Sequence, residues 1–81
     1  MLDKELFEYK DYGRIQINLN KLMEEKNITT YELSSKANIR FQTIQNLRKG
    51  VATRLDLEVL AKLCYMLDCK IENIIEYKTN K

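Results

Sequence analysis

The chain has 81 residues, enough for one small domain and too few for two. It lacks Pro, has only two Gly and is 44% hydrophobic, which argues against a loop-rich or all-β chain and for helices around a modest core. The net charge of +2 is weak, and no apolar run reaches membrane-spanning length or resembles a secretory leader, so the expected compartment is the reducing cytoplasm.

The charge is unevenly spread. Residues 1–12 carry two Lys against four acids, residues 13–56 eight Lys or Arg against four acids, and residues 57–81 four of each. Between Leu33 and Leu55 there is no Asp or Glu, while Lys36, Arg40, Arg48, Lys49 and Arg54 all lie in that window. A one-sign positive field suits a polyanionic partner, although ordinary surfaces also carry basic patches.

The first twelve residues are acidic and hold Leu2, Leu6, Phe7, Tyr9 and Tyr12, which suits an arm or a short helix. Gly13 breaks that pattern. Residues 14–19 alternate polar and apolar, which allows a short extended segment. Helix 1 is predicted from about Asn18 to Lys26, with Leu19, Leu22 and Met23 on one face and Asn27 as a left-handed terminator.

Helix 2 has the clearest start in the chain. Thr29-Thr30-Tyr31-Glu32 is a capping box, with Ile28 and Leu33 at the positions of a hydrophobic staple. The helix runs to about Ala37, and Asn38 tolerates the positive φ of a sharp turn. Helix 3 follows from about Phe41 to Lys49. Ile44 and Leu47 point inward, Gln42, Gln45, Asn46 and Lys49 cluster opposite them, and Gly50 ends the helix.

Asp56 caps helix 4, predicted from about Leu57 to Leu67 with a wide apolar stripe of Leu57, Leu60, Ala61, Leu63, Cys64 and Leu67. Helix 5 is predicted from Ile71 to Glu76, with Ile71, Ile74 and Ile75 facing inward or toward a partner. The organisation expected is an N-terminal arm or short extra element at 1–16, a helix-turn-helix domain at 17–77 and a frayed tail at 78–81.

On these residues, the segment from Leu19 to Tyr77 resembles the phage repressor and Cro type of helix-turn-helix domain, the XRE-like transcriptional regulators of bacteria and phages. Leu33, Ser34, Asn38, Ile39, Ile44 and Leu47 fall on that family's motif positions, and Arg48-Lys49-Gly50 and the run LEVLAKLCYMLDCKIENII are similar to its later segments. The resemblance implies an all-α, compact five-helix DNA-binding domain acting as a small cytoplasmic regulator, a repressor in the simplest case. Its partner is double-stranded DNA, with helix 3 in the major groove and helix 2 across the backbone. Homodimerisation is expected, through Leu2, Leu6 and Phe7 of the arm or Ile71, Ile74 and Ile75. Two departures stand out: Arg40 precedes helix 3 where the family has a capping Ser or Thr, and Phe41 opens it where a polar residue is common.

The candidate base-reading residues are Phe41, Gln42, Gln45 and Asn46. Gln and Asn amides can pair with adenine N6 and N7, and Phe41 can press on a thymine methyl or pack beside Ile44. A solvated helix face is the plain alternative. The candidate phosphate contacts are Thr30, at the helix 2 N-terminus, with Arg40, Arg48, Lys49 and Arg54.

No His is present, and Cys64 and Cys69 alone cannot complete a zinc site, so no metal, cofactor or small-molecule ligand is expected. The lack of His, of a phosphate-binding Gly loop and of a nucleophile elbow argues against an enzyme. The rival reading is a protein-interaction module on the same fold, such as an antitoxin or adaptor.

Overall fold

The computed structural model describes residues 12–79, so the arm expected at the N-terminus lies outside the described residues up to residue 11. In chain order the elements are β1 (Arg14–Ile17), α1 (Leu19–Glu25), α2 (Thr30–Ala37), α3 (Phe41–Lys49), α4 (Leu57–Leu67), α5 (Ile71–Ile74) and β2 (Ile75–Lys78). Five helices carry the fold, and the two strands make the all-α description approximate.

The helix boundaries follow local chemistry. At the start of α2, Thr29 Oγ1 accepts from the Glu32 amide at 3.1 Å, and Glu32 Oε1 accepts from the Thr29 amide at 3.2 Å. Asp56 caps α4 by accepting from the amides of Glu58 and Val59. Left-handed residues end three helices: Asn38 after α2, Gly50 after α3 and Asp68 after α4. Asn27, with φ of 56°, makes the same reversal after α1.

The core is built from Leu19, Met23, Leu33, Ala37, Ile39, Ile44, Leu47, Leu60, Leu63, Leu67 and Ile74. α1 packs on α3 and α5, and α2 packs on α3 and α4. Ile28, at the staple position, lies half-buried against this core.

Two expectations are corrected. The chain turns extended at Ile75, so α5 stops at Ile74 and residues 75–78 become β2. β2 pairs antiparallel with β1, with Arg14 opposite Lys78 and Ile17 opposite Ile75. The β-branched Ile75 and the aromatic Tyr77 suit a pleated ribbon, and the alternating segment at 14–17 supplies its partner. Pairing therefore carries residues 14–17 and Lys78 into the folded body, across the boundaries expected at 16 and 78. Gly13, with φ of +82°, makes the approach to β1. A Cβ there would collide with the Lys78 carbonyl, so both backbone angle and space call for glycine.

The second correction concerns α4. Its buried residues are Leu60, Leu63 and Leu67, whereas Leu57 is 80% exposed and Ala61 is also exposed. A stripe of six positions covers more of the circumference than α2 and α5 can shelter. Ile71 is likewise 52% exposed, and of the three isoleucines assigned to helix 5 only Ile74 is fully buried.

Candidate nucleic-acid interface

The orientation of α3 is determined by Ile44 and Leu47, which are 0% and 2% exposed. Burying this pair rolls Phe41, Gln42 and Lys49 to the surface and leaves Gln45, Asn46 and Arg48 half-buried. The turn that aims the helix is braced. Ser34 Oγ donates to the Ile39 carbonyl at 2.5 Å, Asn38 takes φ of 54° and Ile39 is buried.

Gln42 Nε2 donates to Asn46 Oδ1 at 2.8 Å, one helical turn away. Phe41 is 47% exposed and lies outside the buried core that holds Ile44. Arg40 occupies the N-cap of α3 without a side-chain capping bond, as its chemistry requires, and stays exposed. Lys49 sits exposed in the last turn of α3, where a cation complements the helix dipole. Arg54 is exposed in the loop after α3, beside a shallow hollow that Thr43 and Asn46 also line.

Thr30, Gln45 and Arg48 are arranged differently. Thr30 is 5% exposed and is the buried polar side chain among the described residues. Its hydroxyl donates to Gln45 Oε1 at 2.7 Å and accepts from Arg48 Nη1 at 2.8 Å. Arg48 Nε also donates to Asn20 Oδ1 at 2.8 Å. These four residues tie α1, α2 and α3 together, and a hydrogen-bonded guanidinium in such a chain strengthens each link. Asn20 is the member of this chain that the sequence did not reveal. It lies 28 positions from Arg48, and nothing local marks it.

The cysteines stand apart from this surface. Both are free and half-buried. Burial pushes the Cys69 thiol up, with Cys64 beside it acting in the same direction, so neither the environment nor the spacing favours a reactive thiolate. No helix among the described residues is long and apolar enough to cross a membrane.

The chain is similar to known proteins in sequence and in fold. Residues 18–80 match the Cro/C1-type HTH DNA-binding domain. The chain is 27% identical over 67 residues to the uncharacterized HTH-type transcriptional regulator YozG of Bacillus subtilis strain 168, covering 83% of this chain and 80% of that protein. Its fold matches the crystal structure of the transcriptional regulator VanUg with a TM-score of 0.67 and 26% identity, over 89% of this chain and 95% of that one. A candidate DNA-binding protein from Bacteroides fragilis superposes with a TM-score of 0.69 over 78% of this chain and all of its own; at 17% identity this shows the fold alone. With a helix-turn-helix at α2–α3 and a family match over most of its length, the chain belongs to the Cro/C1-type helix-turn-helix DNA-binding family.

Proposed function

We propose that the protein is a small transcriptional regulator that binds double-stranded DNA sequence-specifically, with α3 in the major groove and α2 across the backbone. The observation that carries this reading is the outward face of α3. Burial of Ile44 and Leu47 leaves an amide-bearing surface inside a window free of acidic residues. Gln42, Gln45 and Asn46 are the base-reading candidates, with Phe41 at the leading edge. Occlusion of a promoter is the simplest regulatory mode for a domain of this size, which makes repression the proposed outcome. The direct test is a selection of bound sequences from random DNA. One enriched motif is expected, and a pool with no enrichment would refute the reading.

Arg40, Lys49 and Arg54 are proposed to hold the backbone phosphates. Thr30 is buried and holds half-buried Arg48 through a hydrogen bond, and the two are proposed to act on the geometry of the reader. Lys49→Ala and Arg54→Ala should each weaken binding by a similar factor on every sequence. Each should also flatten the slope of log affinity against log salt by about 1. A loss confined to one base pair, measured by titration at several salt concentrations, would rule out the backbone role.

We also propose a homodimer. Leu57 and Tyr65 of α4 are 80% and 85% exposed, and with Ala61 and Ile71 they line one shallow apolar hollow. Lys70 and Glu72 flank it, so a two-fold axis through this face would pair opposite charges. This face, and not the buried Ile74, is the contact offered by the described residues. The expected result is a dimer in analytical ultracentrifugation that Tyr65→Arg dissociates, and a palindromic operator with half-sites about 34–36 Å apart. A monomer at high concentration together with a single unpaired half-site would exclude it. The same apolar face favours the second reading, a protein-interaction module, whose complex would resist salt where DNA binding does not.

A further inference from the structure

The polar chain through Asn20, Arg48, Thr30 and Gln45 has a defined direction. A guanidinium only donates, so Arg48 gives hydrogens to Asn20 Oδ1 and to Thr30 Oγ1, each at 2.8 Å. The Thr30 oxygen is thereby occupied from one side, and its single hydrogen is directed to Gln45 Oε1 at 2.7 Å. Polarisation by the Arg48 cation makes that hydroxyl a stronger donor. Thr30 is buried, so water cannot readily take its place. The Gln45 side chain is therefore held with its carbonyl oxygen turned inward, and its amide nitrogen makes no hydrogen bond among the described residues.

We propose that Thr30 and Arg48 set the base preference of Gln45: by holding its oxygen turned toward buried Thr30 they leave its amide nitrogen as the group presented to a base, selecting guanine first, thymine second, and rejecting adenine. This rests on the placement of α3 in the major groove and deepens it. A free glutamine pairs with adenine by accepting from the N6 amino group while donating to N7. With Oε1 withheld, that pairing loses its acceptor and sets one amino group against another. Guanine presents two acceptors, O6 and N7, which the two hydrogens of the Gln45 amide can meet together. Thymine presents one, O4. Thr30 and Arg48 are thus positioning residues that need not touch the DNA.

The test is a bound-sequence selection with the full chain and with Gln45→Ala, Thr30→Val and Thr30→Ser. The base pair whose preference disappears in Gln45→Ala identifies the pair that Gln45 reads. The unaltered protein should show guanine there, with thymine tolerated. Thr30→Val keeps the branched shape but removes the hydroxyl, and should raise adenine relative to guanine at that pair by at least about fivefold. Thr30→Ser keeps the hydroxyl and should keep the original preference. A general loss of packing would weaken all sequences alike and would not exchange one base for another. An enriched operator with adenine at the Gln45-dependent pair, no pair affected by Gln45→Ala, or an unchanged preference in a binding-competent Thr30→Val would overturn this inference alone. Should Thr30→Val not fold, the base selected by the unaltered protein at the Gln45-dependent pair still decides. A pool with no enrichment would overturn the major-groove reading, and this inference with it.

Discussion

Leu33→Ala is expected to lower the free energy of unfolding by about 2–5 kcal/mol, and Ile44→Ala by a similar amount. Leu33 is 2% exposed in α2 and Ile44 is 0% exposed in α3, and both belong to one continuous core. Truncating either side chain removes buried methyl groups and leaves a cavity at the contact between the two helices. The neighbours have little room to close it. Thr29 caps α2 through its box, and the α2–α3 turn is braced by Ser34 and Asn38, so the helices cannot simply slide together. Small domains have total stabilities of about 5–15 kcal/mol, so the loss is a large share of the whole. Urea unfolding followed by circular dichroism measures it. A loss well below about 1 kcal/mol at both positions would contradict the packing of α2 on α3. DNA binding should fall together with stability in these variants, because burial of Leu33 and Ile44 sets how α3 sits on α2.

The parts of this fold that are legible in the sequence are those set by short-range chemistry. Thr29 and Glu32 lie three residues apart and announce the start of α2; Gly50 and Asp56 likewise mark the end of α3 and the start of α4. The alternation of apolar positions then identifies Ile44 and Leu47 as the buried side of α3. Features that depend on distant partners are not legible. The strand at 75–78 exists because residues 14–17 lie beside it, and a run containing Ile74 and Ile75 suits a helix or a strand equally well until that partner is present. Leu57 fits the apolar stripe by its spacing, but α4 begins beyond the shelter of its neighbours. In the candidate site, the outward placement of Gln42 and Lys49 can be read from periodicity. The inward commitment of Thr30 and Arg48 cannot, because it depends on a bond from α3 to α2 and another to Asn20 on α1. A Thr or an Arg near a candidate DNA surface carries no local sign of which way it turns.

Gln42→Ala and Asn46→Ala are each expected to cost roughly 1–3 kcal/mol of binding to the preferred operator, with the loss concentrated at one base pair. The reason lies in how the two amides hold one another. Gln42 Nε2 donates to Asn46 Oδ1 at 2.8 Å, which engages one donor of the first and one lone pair of the second. The Gln42 oxygen, an acceptor, and the Asn46 amino group, a donor, are not used in this bond. That pair complements adenine, whose N6 amino group donates and whose N7 accepts. A pair that keeps these rotamers on binding lowers the ordering cost at the interface. Because each residue orients the other, the single losses should not add. The double variant should lose less than the sum of the two, with a coupling of about 0.5–3 kcal/mol in a double-mutant cycle. Gln42→Lys and Asn46→Lys would each supply an ammonium donor without an acceptor, and neither should restore the preference for adenine. Affinities for the selected operator and its single-base variants, measured at one fixed salt concentration, give the comparison. If both alanine variants keep the original affinity and the original base preferences, α3 is not the reading helix, and the apolar face of α4 and α5 becomes the working surface of the molecule.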